Sequence, residues 1–268
     1  MNILVCIKQV PDTTIIKIDP VTNTLMRDGV PAIVNPFDAY AVEAAARIKD
    51  KHKDTKIYVL SMGPQQALAA LKECLSVGGD KAYLVSDRAC GGSDTLATGY
   101  ILANTIKKIE EMEGFKFDML MFGKQAIDGD TAQVGPQISE HLGIPQITYA
   151  AAIDYDAERG ALTVKRQFED RYQTLEVKGQ CLITILSTLD TPRYMNVWDI
   201  IAQDEKEIGI ITFADIEVDP TAIGLKGSPT KVKSTATKQF DKTIETLELD
   251  PESAAKAIVD ALKSRHLI

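Results

Sequence analysis

Alternating strand and helix patterns predict an α/β fold: an open, mostly parallel sheet with helices on both faces, Rossmann-like and suited to nucleotide binding. Three observations carry this. Short apolar runs at residues 2–8, 57–60, 82–85 and 119–122 are bounded by turn residues, as buried parallel strands are. Helical patterns of roughly 10–20 residues lie between them, the arrangement of βαβ units. After Pro145 strand-like runs follow one another with no helix between, which predicts antiparallel additions to the sheet.

Each element has its own signal. Residues 2–8 form an apolar strand ending before Pro11-Asp12, and residues 14–34 alternate around Asp19-Pro20 and Asp28-Gly29 like a small hairpin excursion. Asn35-Pro36-Phe37-Asp38 opens a helix with Ala41, Ala45 and Ile48 on one face; Asn before Pro is a strong start signal. The 57–60 strand ends at Met62-Gly63-Pro64, and a helix with Leu68, Leu71 and Leu75 inward follows, stopping at Gly78-Gly79. Ser93-Asp94 is positioned to cap a long helix carrying Leu102, Ile106 and Ile109. Beyond Pro145, strands are predicted at 147–153, 162–168, 172–177 and 181–185, then a short amphipathic helix over 195–205. Residues 225–242 are lysine-rich and poor in large apolar side chains, so they read as a mobile linker or as an arm ordered on a partner. Asp250-Pro251 caps a last helix striped with Ala254, Ile258, Ala261 and Leu262. The expected organisation is a binding domain over 1–224 and a C-terminal arm over 225–268.

Composition narrows the function classes. With 268 residues, 45% hydrophobic and 25% charged, the chain has the make-up of a water-soluble globular protein. A net charge of −8 argues against nucleic acid as partner. No apolar run is long enough for a membrane span, and no signal peptide is expected. Four scattered cysteines without CxxC suit a reducing cytoplasm, and three distant histidines offer no zinc motif.

The strongest local signal is Gly123-Lys124-Gln125-Ala126-Ile127-Asp128-Gly129-Asp130-Thr131-Ala132-Gln133-Val134-Gly135-Pro136. It joins the 119–122 strand to a helix striped with Val134, Ile138 and Leu142. A strand, a glycine-containing turn and a helix start aim free backbone N–H groups above the strand end, where they favour an anion, commonly a phosphate. Asp128, Asp130 and Thr131 are also good helix caps in any protein. The string is neither G-x-G-x-x-G nor a Walker A loop. Pro136 is expected to disturb the helix and free a carbonyl. No nucleophile–base pair, paired carboxylates or metal cluster stands out, so any chemistry belongs to a cofactor.

These residues resemble the β subunit of electron-transferring flavoproteins. The resemblance rests on Gly123 to Asp128 with the helix start after it, on Val5-Cys6-Ile7-Lys8-Gln9-Val10-Pro11-Asp12, on Asn35-Pro36-Phe37, and on Met62-Gly63-Pro64. Val164 to Thr184 is similar to the family's signature segment, with Arg171 and Gln180 as departures, and Thr191-Pro192-Arg193-Tyr194 precedes its recognition loop. The likeness covers residues 1 to about 205. Housekeeping members, which hold AMP here and FAD only in the α subunit, tend to read Asp-Asp-Asp-x-Asn-Gln-Thr-Gly. Asp128-Gly129-Asp130-Thr131-Ala132-Gln133-Val134-Gly135 is instead similar to electron-bifurcating, NADH-oxidising members, which hold a second FAD here.

The resemblance implies a pocket lined by Cys6, closed on one side by Asn35, Pro36, Phe37 and Asp38, with Met62 near the adenine. Gly123 to Val134 would give N–H groups, and Thr131 its hydroxyl, to the diphosphate of FAD, or to AMP in the alternative. It further implies NADH as electron donor and a heterodimer with the α subunit, with electrons passing to an acyl-CoA dehydrogenase and to ferredoxin or flavodoxin. Val197, with Trp198 beside it, falls at the anchoring position for the dehydrogenase; an ordinary surface helix is the other reading of that segment. Residues 225–268 would wrap the α subunit.

Overall fold

In the computed structural model, which describes residues 1–12, 17–18, 25–26, 31–230 and 246–268, strands and helices alternate as the hydrophobic pattern predicts. β1 (Asn2–Ile7), β2 (Gln9–Pro11), β3 (Lys17–Ile18), β4 (Leu25–Met26) and β5 (Ala32–Val34) precede α1 (Pro36–Lys51). Then come β6 (Lys56–Met62), α2 (Leu68–Leu75), β7 (Lys81–Val85), α3 (Thr95–Glu113), β8 (Met119–Gly123) and α4 (Val134–Leu142). β9 (Gln146–Asp156), β10 (Ala161–Gln167), β11 (Tyr172–Lys178) and β12 (Cys181–Ile185) follow without a helix. α5 (Val197–Ala202), β13 (Ile208–Ile211), α6 (Gly224–Gly227) and α7 (Pro251–Ser264) complete the described elements.

Nine strands form one sheet in the order β11-β10-β9-β12-β8-β1-β6-β7-β13. Only β10 runs against the others, pairing antiparallel with β9 and β11. The expected antiparallel additions are therefore confined to that meander. β12 is inserted parallel between β9 and β8. Its five residues are all buried, as suits an interior strand covered on both faces. β13, parallel to β7 at the far edge, has no counterpart in the sequence reading. Its Ile-Gly-Ile-Ile run is too short to announce itself. The excursion after β1 carries two small antiparallel pairs, β2 with β5 and β3 with β4; the rest of it lies outside the described residues.

Period-two alternation divides the core. Ile3, Val5 and Ile7 face one layer with Ala41, Ala45 and Ile48 of α1 and Leu71 and Leu75 of α2. Leu4 and Cys6 face the other, with Ile101, Ile106 and Ile109 of α3 and Ile138 of α4. Cys6 thus points to the α3/α4 side.

The first compact unit is Met1–Lys231, so it extends past the boundary expected at 224. Leu225 is exposed, and the segment packs through hydrogen bonds rather than apolar burial. Gly224 N–H donates to Ser93 Oγ (3.0 Å), Asp94 N–H to Ser228 Oγ (2.8 Å) and Thr230 N–H to Asp94 Oδ2 (2.9 Å). Residues 231–245, most of the lysine-rich stretch, lie outside the described residues. In the second unit, Val232–Ile268, the Asp250 carboxylate caps α7 by accepting from Glu252 and Ser253 N–H, and no α7 residue is buried. Among the described residues no helix is long and apolar enough to cross a membrane.

Asp94 also accepts from Ala97 N–H as the N-cap of α3 (3.1 Å). Replacing it removes that cap and the Thr230 tether together. Asp94→Ala is expected to cost about 1–2 kcal/mol of stability, measured by urea unfolding.

Candidate functional site

From β1 the chain builds α1, β6, α2 and β7 to one side, and α3 then returns it to β8 on β1's other flank. Strand order reverses between β1 and β8, and the crevice beyond the carboxyl ends at such a point is where open α/β sheets take ligands. A cleft of about 330 Å³ opens there. Cys6 and Met62 line it from the ends of β1 and β6, and Asp38 from the first turn of α1. Gly123, Lys124, Gln125, Ala126, Asp128, Gly129, Asp130, Thr131, Ala132, Gln133 and Val134 form the wall contributed by the β8–α4 loop.

Four expected residues do not line the cleft: Asn35, Pro36, Phe37 and Ile127. Asn35 sits behind the loop instead. Fully buried, it donates through Nδ2 to the Gln125 carbonyl (2.8 Å) and accepts at Oδ1 from Ile127 N–H (3.1 Å). Its side chain makes no capping bond to α1, although its position and the following Pro36 begin that helix. What reads in sequence as a cap is a staple for a loop ninety residues away.

Asp38 ties the two strand ends. Its Oδ2 accepts from Lys8 N–H (2.7 Å) and its Oδ1 from Gly123 N–H (3.1 Å). The fit around Gly123 is tight: an added Cβ would stand 2.4 Å from Asp38 Oδ1 and 2.5 Å from the Phe37 carbonyl carbon. Burial pushes the Asp38 carboxyl up to about 7, against the opposing pull of hydrogen bonds from Lys8, Asn35 and Gly123 and of the Lys8 charge. Burial, with the Asp38 charge adding to it, also raises the Cys6 thiol well above its ordinary value, so Cys6 lines the cleft as a neutral thiol.

The loop itself is strained and donor-rich. Asp130 and Ala132 hold left-handed backbone (φ 52° and 53°), at a cost of about 1–2 kcal/mol each. α4 begins only at Val134, with Gln133 before it, so Asp128, Asp130 and Thr131 do not cap it. Pro136 is then the third helical residue, where no intrahelical N–H bond is lost, and it neither kinks α4 nor frees a carbonyl. Asp128 instead pairs with Lys8 Nζ (2.6 Å), and Asp130 accepts from Gln125 Nε2 (2.7 Å). Among the described residues no acceptor meets the backbone N–H groups of Thr131, Ala132, Gln133, Val134 and Gly135. Five successive free donors ahead of a helix dipole suit an anion. Gly129 faces open space, with nothing within 4 Å of where a Cβ would be.

Sequence reasoning missed several cleft residues. Lys8, Ser93, Asp94, Thr95, Thr98, Leu102 and Phe122 also line it. Ser93-Asp94 reads as a helix cap, which it is; that this helix end faces the switch point depends on sheet order. Thr95 Oγ1 donates to Gln133 Oε1 (2.8 Å), joining the two helix starts across the cleft. His141 packs on Tyr100, with ring centroids 5.8 Å apart. Elsewhere on the same unit α5 displays its apolar side chains: Val197 is 68% exposed and Trp198 81%, with Tyr194 just before them at 97%.

The Asp38 carboxyl, raised above its ordinary value, contributes stability that is present below about pH 4 and lost as pH rises through about 7. Asp38→Asn removes that titration and leaves one of two backbone donors unpaired. Urea unfolding at pH 5 and pH 8 is expected to show the variant less stable at pH 5, with the difference shrinking at pH 8 by an amount on the order of a few kcal/mol.

Comparison with known proteins gives these features a family. Residues 22–215 match the electron transfer flavoprotein domain. The chain is 48% identical to the electron transfer flavoprotein subunit beta of Clostridium acetobutylicum over 268 residues, 100% of both chains. It is 46% identical over 271 residues to the caffeyl-CoA reductase-Etf complex subunit CarD of Acetobacterium woodii, again 100% of both. Protein FixA of Azotobacter vinelandii is 45% identical over 272 residues, covering 99% of this chain and 96% of that one. Full-length likeness at this level, on a sheet with its cleft at the switch point, means that the chain belongs to the electron transfer flavoprotein family, among its β subunits.

Proposed function

We propose that this β subunit holds FAD in the switch-point cleft of an electron-bifurcating heterodimer. NADH is the donor. One branch runs through the FAD of the α subunit to an acyl-CoA dehydrogenase, and the other to ferredoxin or flavodoxin. The observation that carries the proposal is the loop: five consecutive free N–H donors from Thr131 to Gly135, beside a Gly129 that leaves the space next to them open. The donor set fits a diphosphate, and the open flank fits a ligand longer than a mononucleotide. The Acetobacterium relative is a subunit of a caffeyl-CoA reductase-Etf complex, which agrees with the dehydrogenase branch.

Within this reading the chain binds and orients. A flavin held in the cleft would supply the redox chemistry, which no side chain of the cleft provides. Lys8 keeps a positive charge at the cleft mouth; its bridge to Asp128 is half-exposed, so exchanging Asp128 for a ligand phosphate costs little. Asn35 and Asp38 fix the loop before the ligand arrives, which limits ordering on binding. The neutral Cys6 and Met62 give a polarisable apolar wall. The segment that carries α7, a helix with no buried residue, serves as the arm toward the α subunit.

The cleft volume of about 330 Å³ lies at the small end of ligand pockets and favours a second reading, with AMP held structurally and the redox FAD in the α subunit. Cofactor release from the co-expressed heterodimer separates the two: two FAD and no AMP is the expected result, and one of each overturns the proposal. Gly129→Asp, for which the site has room, is expected to lower FAD content while leaving the α-subunit FAD in place, checked by flavin absorbance per heterodimer.

A further inference from the structure

The segment Tyr194–Ala202 combines exposed apolar side chains with firmly fastened ends. No α5 residue is buried, and Val197, Trp198 and Ile201 are all more than 60% exposed, so the core does not hold this helix in place. Its neighbours do. Before it, Arg193 donates to Glu43 through its backbone N–H (3.0 Å), Nε (2.8 Å) and Nη2 (3.2 Å), and through Nη2 to Asp50 (2.7 Å). The Glu43 side chain is only 3% exposed, in the middle of α1. Beyond the helix, Lys206 Nζ donates to the Leu75 and Gly79 carbonyls at the end of α2 (2.6 and 2.8 Å), and Lys72 pairs with Asp204 (2.7 Å).

A nearly buried carboxylate is costly unless it is fully bonded, and Glu43 spends most of its bonding capacity on one residue of the strap. Three parallel bonds, one of them to the backbone, fix where the chain is and which way it runs. We propose that Glu43 and Arg193 are positioning residues that hold Tyr194–Ala202 as a preformed docking edge for the dehydrogenase. This rests on the reading of that segment as the docking surface. The gain is in ordering: an anchor already held in its bound geometry loses less conformational freedom on association.

The test uses the complete heterodimer and electron transfer to it from an acyl-CoA dehydrogenase turning over its acyl-CoA, followed by flavin bleaching. Glu43→Gln and Arg193→Gln are each expected to raise KM for the heterodimer about tenfold while kcat stays within about twofold, since the redox centres are untouched. A KM within about twofold of the parent in both overturns the proposal. If Glu43→Gln fails to assemble, Arg193→Gln, on a partly exposed strap, decides alone. The Val197→Ala/Trp198→Ala double variant separates the two layers. If it raises KM while the clamp variants do not, docking stands and the clamp fails; if it too leaves KM unchanged, the docking reading itself fails. A second readout needs no partner. Trp198 is the only tryptophan of this chain. Its 5-fluorotryptophan resonance, assigned by its loss in Trp198→Phe, is expected to sharpen in the clamp variants, and an unchanged line width counts against the clamp.

Discussion

The Asp38 carboxylate is the constraint on which the rest of the site depends. It sits where β1 and β8 stop, and it accepts one backbone N–H from each continuation, Lys8 on one side and Gly123 on the other. These strands pair in parallel, so their ends diverge into separate loops, and some third element must set how far they open. A short carboxylate on the first turn of α1 does so. The arrangement leaves no room for a side chain at Gly123, and it brings the loop over the crevice rather than away from it. The cost of burying that carboxyl is visible in its upward shift to about 7, and its two backbone donors partly offset it.

Helix α1 is the common support for both surfaces of the molecule. Asn35 just before it and Asp38 in its first turn shape the switch-point cleft, and its middle carries Glu43, which grips the strap before α5. Alanines at 41, 44, 45 and 46 let the helix lie close on the sheet, so these polar groups are carried on a rigid base. The β8–α4 loop, by contrast, is held from behind by Asn35 and Asp38 and on the cleft side only by the exposed side-chain contacts of Lys8 with Asp128 and Thr95 with Gln133. Its left-handed residues, Asp130 and Ala132, are among those that line the cleft.

The fold was largely legible because its signals are local. Apolar runs of four to seven residues set the parallel strands, and helices α1, α3 and α7 begin where Pro36, Asp94 and Asp250 with Pro251 say they should. The misreadings share a cause. Asn35, Asp128 and Thr131 are residues that cap helices when nothing else claims them, and in this chain distant groups or open solvent do. The sequence pattern groups β12 with the antiparallel run before it, whereas it pairs parallel with β8 and β9. The polar residues after 224 look unable to pack because composition counts apolar area and not the hydrogen bonds that Ser93, Asp94 and Ser228 exchange.

The sequence alone determined the α/β class, the order of strands and helices apart from the edge strand β13, the loop between Gly123 and Val134, and through that loop and its companions the family. All of these are written in residues close together along the chain, where periodicity, turn chemistry and short motifs act. Tertiary structure alone decided that strand order reverses between β1 and β8, that Ser93, Thr95 and Lys8 share the cleft with the loop, and that Asn35 and Asp38 stand behind it as supports. Those facts depend on which donors and acceptors meet across 85 to 120 residues, and no local pattern carries that information.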